Sequence, residues 1–292
     1  QADRIIAVVD HREPVTTSEL TDALRLNRSR ERAPVDVVTL RPDHQRSSET
    51  LRWCERVRGE NHFFVRPGVT ADYACLARQL TGRGVGLVLG GGGARGFAHI
   101  GLLRALQELG IPVDLIGGTS IGAFIGGLAA CGHDAKDITD IARETFVSRH
   151  YLNDYTLPRS SLIRGRKFRE RLDELFGARR VEELRTPFYC VSTNLTQGNV
   201  VVHREGPLSI WIGTSMAVPG FAPPVAYMGD LLADGSIIDS LPTGVMREMR
   251  RGPIIASDVS TEGAVGAPGV QGPDPDHVFG YLDGATRPGL FS

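Results

Sequence analysis

The 292-residue sequence has no excess charge of either sign: 33 Lys and Arg stand against 34 Asp and Glu, a formal net charge of −1. An overall field that small draws no polyanion, so nucleic acid is not expected as a partner. Cysteine is scarce. Cys54, Cys75, Cys131 and Cys190 are widely spaced with no C-x-x-C, which excludes a dense disulfide framework and reads as a reduced, cytoplasmic protein. No run of about 18 apolar residues occurs, so no membrane-spanning helix is expected. The N-terminus lacks a signal-peptide pattern. Neither H-E-x-x-H nor an EF-hand loop is present, so no metal is implied, and no cofactor is expected. Lysine is nearly missing: Lys136 and Lys167 are the two exceptions among the basic residues, a bias that genome composition explains as readily as phosphate binding. The chain opens on Gln1 rather than Met and is read as a piece of a longer polypeptide.

What the chain does have is alternation of strand and helix. Residues 1–82 read as three strand-helix units, with strands at Ile5–Val9, Val37–Leu40 and Phe63–Val65. The helices between and after them are expected behind a capping box at Thr16-Thr17-Ser18-Glu19, from Ser48 to Val57, and from Ala71 to Leu80. Such alternation predicts a parallel sheet covered by helices, and these units are expected to extend the sheet of residues 83–260 as scaffold. Val85–Leu89 is a nearly continuous apolar run, as a strand buried on both faces should be. An amphipathic helix follows, with Ile100, Leu103, Leu106 and Leu109 on one face and Gly110 as its stop. Further strands are predicted at Leu115-Ile116, Phe188–Ser192, Val200–His203 and Ile254–Val259. Helices are predicted at Ala123–Ala130, Lys167–Phe176 and Leu208–Ala217. The expected fold is a three-layer α/β/α domain with a mainly parallel central sheet, followed by a Gly- and Pro-rich segment over 261–292.

Two segments carry chemistry. Gly118-Thr119-Ser120-Ile121-Gly122 is a G-x-S-x-G elbow at a predicted strand-turn-helix, the setting in which such a serine is lifted out of a tight turn. The bland reading is that Ser120 merely caps the next helix, which does not exclude the nucleophile. Upstream, Gly90-Gly91-Gly92-Gly93-Ala94-Arg95-Gly96 opens a helix with backbone free of side chains, where N–H groups can hold an oxyanion. The same glycines fit the dinucleotide fingerprint G-x-G-x-x-G, or simply a tight turn. A Walker A loop is excluded because Arg95-Gly96 stands where Lys-Ser/Thr is needed.

A nucleophilic serine needs a base. The acid candidate is Asp234 in Leu231-Leu232-Ala233-Asp234-Gly235-Ser236, a strand ending in Asp-Gly, whose bland reading is an ordinary turn. The histidine after it is His277 in the C-terminal segment; His99 and His203 are nearer the predicted core, where a lone histidine is usually structural.

These three pieces in this order resemble the patatin-like phospholipases, with G-G-G-x-R/K-G matched by Gly91–Gly96, the elbow by Ser120, and D-G-A/G/S by Asp234-Gly235-Ser236. Ser192-Thr193-Asn194-Leu195 and Ser215-Met216-Ala217-Val218-Pro219 resemble the family too, and Leu89–Gly122 looks closest to its neuropathy-target-esterase branch. The resemblance covers about Gly84 to Ser260. It implies a Ser120–Asp234 dyad without histidine, an oxyanion hole from Gly91, Gly92, Gly93, Ala94 and Arg95, and elbow glycines Gly118 and Gly122. It implies hydrolysis of fatty-acyl esters of phospholipid or lysophospholipid through an acyl-serine. Branch members often carry cyclic-nucleotide-binding domains; nothing in residues 1–80 reads as one, so if this protein has such a partner domain it lies outside this chain. The rival from another class is a nucleotide-binding regulatory module using the same glycine loop.

Three features stay open at this stage. Arg95 either faces lipid phosphate and the oxyanion loop or braces the turn by pairing with a carboxylate. Phe221 and Pro223, in Phe221-Ala222-Pro223-Pro224, either line the mouth of an acyl channel or belong to the core. The densest basic stretch, Arg159 to Arg171, reads first as a solvated helix face and second as a peripheral membrane contact.

Overall fold

A computed structural model describes residues 4–10, 33, 35–40, 57, 59–149, 151–152, 154–155 and 161–260. The expected capping box at residues 16–19, most of the helix at 48–57, Arg159, His277 and the segment 261–292 lie outside the described residues.

The three N-terminal strands form as expected: β1 (Ile5–Asp10), β2 (Val35–Leu40) and β3 (Asn61–Val65), followed by helix α1 (Thr70–Leu80). They are parallel, in the order β1-β2-β3. They do not extend the central sheet, however, but make a sheet of their own. β4 (Gly86–Leu89), the strand that follows them in the chain, is flanked by β10 (Ile254–Ser257) on one side and β5 (Leu115–Thr119) on the other, which leaves no place for them beside it. The small sheet is joined to the rest through side chains instead. Arg78 of α1 forks onto Asp114 at 2.9 and 2.7 Å. Arg251, just before β10, lies over the Phe63 ring and 4.0 Å from the buried Asp36, which Arg4 and Asn61 also hold.

The central sheet has seven strands in the order β10-β4-β5-β6-β9-β8, with β7 paired to β6. Here β6 is Phe188–Asn194, β7 Asn199–His203, β8 Val225–Tyr227 and β9 Asp230–Asp234. β10, β4, β5 and β6 run parallel; β7, β8 and β9 are antiparallel to their partners. Alternate side chains of one strand point to opposite faces. Leu87 and Leu89 therefore join the larger core with α2 (Ala98–Glu108), α3 (Ile121–Ala130), α5 (Arg166–Phe176) and α6 (Leu208–Ser215). Val88 instead packs with Leu115, Tyr189, Val191 and Met246 of α7 (Thr243–Glu248) on the other face. This is the three-layer α/β/α arrangement expected.

α3 is the helix behind the elbow, and all its residues but Ala129 are buried. Its composition explains this. Gly126 has no room for a Cβ against Ile116, nor Gly127 against Ile212, so the glycines let the helix lie directly on sheet and neighbour. α2 departs from expectation at its end: it stops at Glu108, leaving Leu109 72% exposed, and the buried row is His99, Leu103 and Leu106. Between α3 and α5 sits α4 (Ala135–Arg143), N-capped by Asp134, whose side chain accepts from the Asp137 amide at 2.8 Å. Among the described residues, no helix is long and apolar enough to cross a membrane.

Candidate active site

Strand pairing brings the elbow and the acid together. β5 pairs with the first half of β6, Phe188 to Val191, and β9 pairs with the second half, Ser192 to Asn194. The two strands thus approach one another end to end along β6. The last residue of β9, Asp234, meets the residue just after β5, Ser120. Ser120 Oγ donates to Asp234 Oδ2 at 2.6 Å across 114 positions of sequence.

The elbow is strained. Ser120 has φ 54° and ψ −122°, a conformation costing a non-glycine residue on the order of 1–3 kcal/mol. Sequence permits the turn because its flanks are glycine: a Cβ on Gly118 would lie 2.6 Å from the Gly122 carbonyl, and one on Gly122 2.1 Å from the Leu89 oxygen. The turn is pinned by Ser215, whose Oγ accepts from the Ser120 amide at 2.9 Å and donates to the Val191 carbonyl at 2.7 Å. Ser215 as a positioning residue was not singled out by chemistry in the sequence. The signal was the segment 215–219, noted there only for its resemblance.

Asp234 is 3% exposed. Its Oδ1 accepts from the Ser236 amide at 2.8 Å, and its own amide donates to the Ala217 carbonyl at 2.9 Å. Burial raises its pKa above the ordinary carboxylate value; the hydrogen bonds from Ser120 and Ser236 oppose that shift without reversing it. No described cation pairs with it. A carboxylate so placed is a better proton acceptor than one in water.

The glycine loop lies against the elbow. A Cβ on Gly96 would sit 2.1 Å from Ile121 Cγ2, and one on Gly91 would sit 2.1 Å from Ser236 Oγ and 3.4 Å from Ser120 Cβ. Of the five residues expected to form the oxyanion hole, Gly91 is not a free donor, since its amide donates to the Ser240 carbonyl at 2.9 Å. Its contribution is close approach. The Gly92 and Gly93 amides have no acceptor among the described residues, and Gly93, at φ +57°, begins the short 3₁₀ turn Gly93–Phe97 that leads into α2. Ala94 and Arg95 are exposed on that turn. Arg95 has no described carboxylate partner; its Nε points at the Gly92 carbonyl at the limit of hydrogen bonding, 3.5 Å. The bracing read from sequence is thus to backbone, not to an acid.

The histidines sit elsewhere. His99 is fully buried, with Nε2 2.8 Å from the Gly90 carbonyl and Nδ1 2.9 Å from Ser257 Oγ. It ties the start of the glycine loop to β10, and desolvation lowers its pKa. His203 bonds Ser192 Oγ at 2.7 Å and stacks on Trp211; burial lowers its pKa to about 4. Neither has Ser120 or Asp234 as a hydrogen-bond partner.

The two open surface features turn out to be neighbours. The Leu162 amide donates to the Gly220 carbonyl and the Ile163 amide to the Phe221 carbonyl, and a Cβ on Gly165 would lie 3.6 Å from Pro223. Phe221 and Pro223 are half-buried. The basic stretch is divided: Arg171 is buried and held by Glu144, Glu174 and Thr145, Arg166 pairs with Glu170, and Arg164 and Arg169 are exposed. A groove of about 860 Å³ between α2 and α4, lined by Ile100, Arg104, Lys136 and Arg143 among others, includes neither dyad residue.

Comparison with known proteins bears on the same region. A family model described as Patatin-like phospholipase matches residues 87–247. The chain is 41% identical over 213 residues to Patatin-like phospholipase domain-containing protein ZK370.4 of Caenorhabditis elegans, covering 69% of this chain and 15% of that protein. It is 35% identical over 259 residues to an uncharacterized NTE family protein of Mycobacterium tuberculosis (89% and 42% covered). To lysophospholipase nte1 of Neurospora crassa it is 41% identical over 195 residues, covering 65% and 13%. The chain spans 42% or less of the length of each of these relatives.

Proposed function

The chain belongs to the patatin-like phospholipase family, and from that premise we propose that it is a serine acyl hydrolase cleaving fatty-acyl esters of phospholipid or lysophospholipid. The observation that carries the reading is the buried, cation-free Asp234 accepting a 2.6 Å hydrogen bond from a serine held at positive φ. As Ser120 Oγ bonds to the ester carbonyl carbon, its proton passes to Asp234 Oδ2. Charge developing on the carbonyl oxygen is met by the Gly92 and Gly93 amides; losing one such donor costs roughly 3–4 kcal/mol in the barrier. Collapse of the tetrahedral intermediate expels the alcohol, which takes the proton from Asp234 and leaves acyl-Ser120. Water then attacks that ester, giving its proton to Asp234. The second collapse releases the fatty acid and returns the proton to Ser120.

The name of the Neurospora crassa relative favours a one-chain phospholipid as substrate. The dinucleotide reading of the same loop is disfavoured, since Gly91 faces Ser236 and Ser120 rather than space for a pyrophosphate. The test is release of fatty acid from lysophosphatidylcholine and from a soluble short-chain ester by the wild-type chain and Ser120→Ala. The proposal requires turnover of both by the wild type and of neither by the variant. Nucleotide binding without esterase activity would select the rival.

A further inference from the structure

We propose that the β8–β9 hairpin is the element by which this protein seats on a lipid surface, an inference that rests on the acyl-hydrolase reading above. The hairpin turns through two residues, Met228 and Gly229, with Tyr227 paired to Asp230. Both turn residues have positive φ, 50° and 89°, as in a type I′ turn. The first position of that turn favours Asn, Asp or Gly, and an unbranched apolar side chain there gains nothing from the backbone. Here it is methionine, 87% exposed and part of none of the described hydrophobic clusters. An apolar residue held against local preference, and touching no core, is explained by a contact made outside the fold.

Its surroundings and position point the same way. Tyr227 and Leu231, which flank the turn on opposite faces of the hairpin, and Leu195, whose amide donates to the Leu231 carbonyl, are each nearly half exposed, so apolar surface borders the tip on both faces even though the Tyr227 ring also packs edge-on against the buried Trp211. That projection stands beyond the C-terminal end of β6, the end of the sheet at which β5 delivers Ser120. From Asp230 to Asp234 the strand rises about 14 Å, so the tip and the dyad are separated by about the hydrocarbon depth of one bilayer leaflet along one rigid strand. The one charged group in the turn, Asp230, is tied to Asn194 at 2.7 Å and to Gln197 at 3.3 Å. No arginine or lysine lies between Tyr227 and Leu231. The surface it fits is therefore apolar, entered by insertion and not by charge, and is distinct from the exposed arginines at 164 and 169.

The test is Met228→Asn in the full 292-residue chain. Asparagine suits the positive φ, so the variant should melt at the same temperature as wild type or higher. On phosphatidylcholine vesicles containing lysophosphatidylcholine, the expected result is about a tenfold loss of hydrolysis, the effect of withdrawing one large apolar side chain from burial. Hydrolysis of the soluble short-chain ester should be unchanged. Co-sedimentation of Ser120→Ala with the same vesicles supplies a readout free of activity: it should fall about tenfold when Met228→Asn is added, and persist in high salt. If neither chain turns over any ester, the hydrolase reading fails, and co-sedimentation still decides the hairpin. Vesicle hydrolysis and co-sedimentation both indifferent to Met228→Asn would overturn the proposal. So would a loss of self-association in its place, which would assign the tip to contact between copies.

Discussion

Two carboxylates at opposite ends of β5 are almost equally buried and differ in what holds them. Asp114, where the small N-terminal layer meets the central sheet, is 1% exposed, and Asp234 is 3% exposed. Burial pushes both upward in pKa. At Asp114 the Arg78 fork and the Val85 amide outweigh it and hold the carboxyl below its ordinary value; at Asp234 only Ser120 and Ser236 donate, and the value stays raised. A guanidinium turns a buried acid into a brace, and its absence leaves a base. Asp36 likewise has basic partners, Arg4 and Arg251, with Asn61 also at its carboxylate. The contrast supports the proposed role of Asp234 without any appeal to motif.

The largest effect expected is from Ser120→Ala. It should remove ester hydrolysis by at least about 10⁴-fold while circular dichroism and thermal melting stay native, because the nucleophile and nothing structural is lost. Turnover retained in that variant would break the comparison at its active end. Asp234→Asn should follow, with hydrolysis reduced about 10³-fold, the scale of a lost general base.

Stability sharpens the contrast, because the two acids carry opposite signs. A carboxyl whose folded pKa is raised contributes stability below its unfolded pKa and loses it as pH rises through the folded value. Asp234→Asn should therefore melt higher than wild type at neutral pH, a gain that shrinks on acidification. Asp114, with its pKa depressed, contributes stability above its unfolded pKa and loses it as pH falls through the folded one. Arg78→Met strands that charge. It should cost about 3 kcal/mol in urea unfolding, the low end for a broken buried pair because the Arg78 side chain is 31% exposed, with kcat per folded molecule unchanged. A changed kcat in that variant would mean that the two regions are coupled.

The smallest effect belongs to His203. Its pKa is lowered from 6.5 to about 4 by burial, so the unfolded chain takes up its proton first and stability should fall as pH drops through that window. His203→Asn should flatten this part of the urea-midpoint profile while leaving hydrolysis within about twofold of wild type.

Much of this was legible in sequence where the signal is local. The nearly continuous apolar run at Val85–Leu89 predicts a strand that forms over Gly86–Leu89, and the predicted bounds of α3 and α5 lie within a few residues of those observed. Ser120, Asp234 and the glycine loop were named from spacing and resemblance. What sequence could not supply was pairing between distant segments. Nothing in residues 1–82 says that β4 is already flanked by β10, which arrives more than 160 positions later, so the N-terminal strands were assigned to the wrong sheet. The same blindness hid the end-to-end meeting of β5 and β9, the Gly91 amide's commitment to Ser240, and the turning inward of Arg171 within a stretch that reads first as a solvated helix face and second as a membrane contact. Leu109 fits the apolar period of α2 but falls one residue past the helix end, where the period no longer applies.

The most direct test of the central claim, that a buried and cation-free Asp234 is the base for Ser120, is the pH dependence of Ser120 labelling by a fluorophosphonate, followed by intact mass and peptide mapping. In the wild type the labelling rate should fall on the acid side through one ionisation lying above the ordinary carboxylate range. Asp234→Asn should slow labelling and abolish that limb, while His99→Gln and His203→Asn should keep it. Labelling at another serine, or a histidine variant that matches Asp234→Asn, would contradict the account.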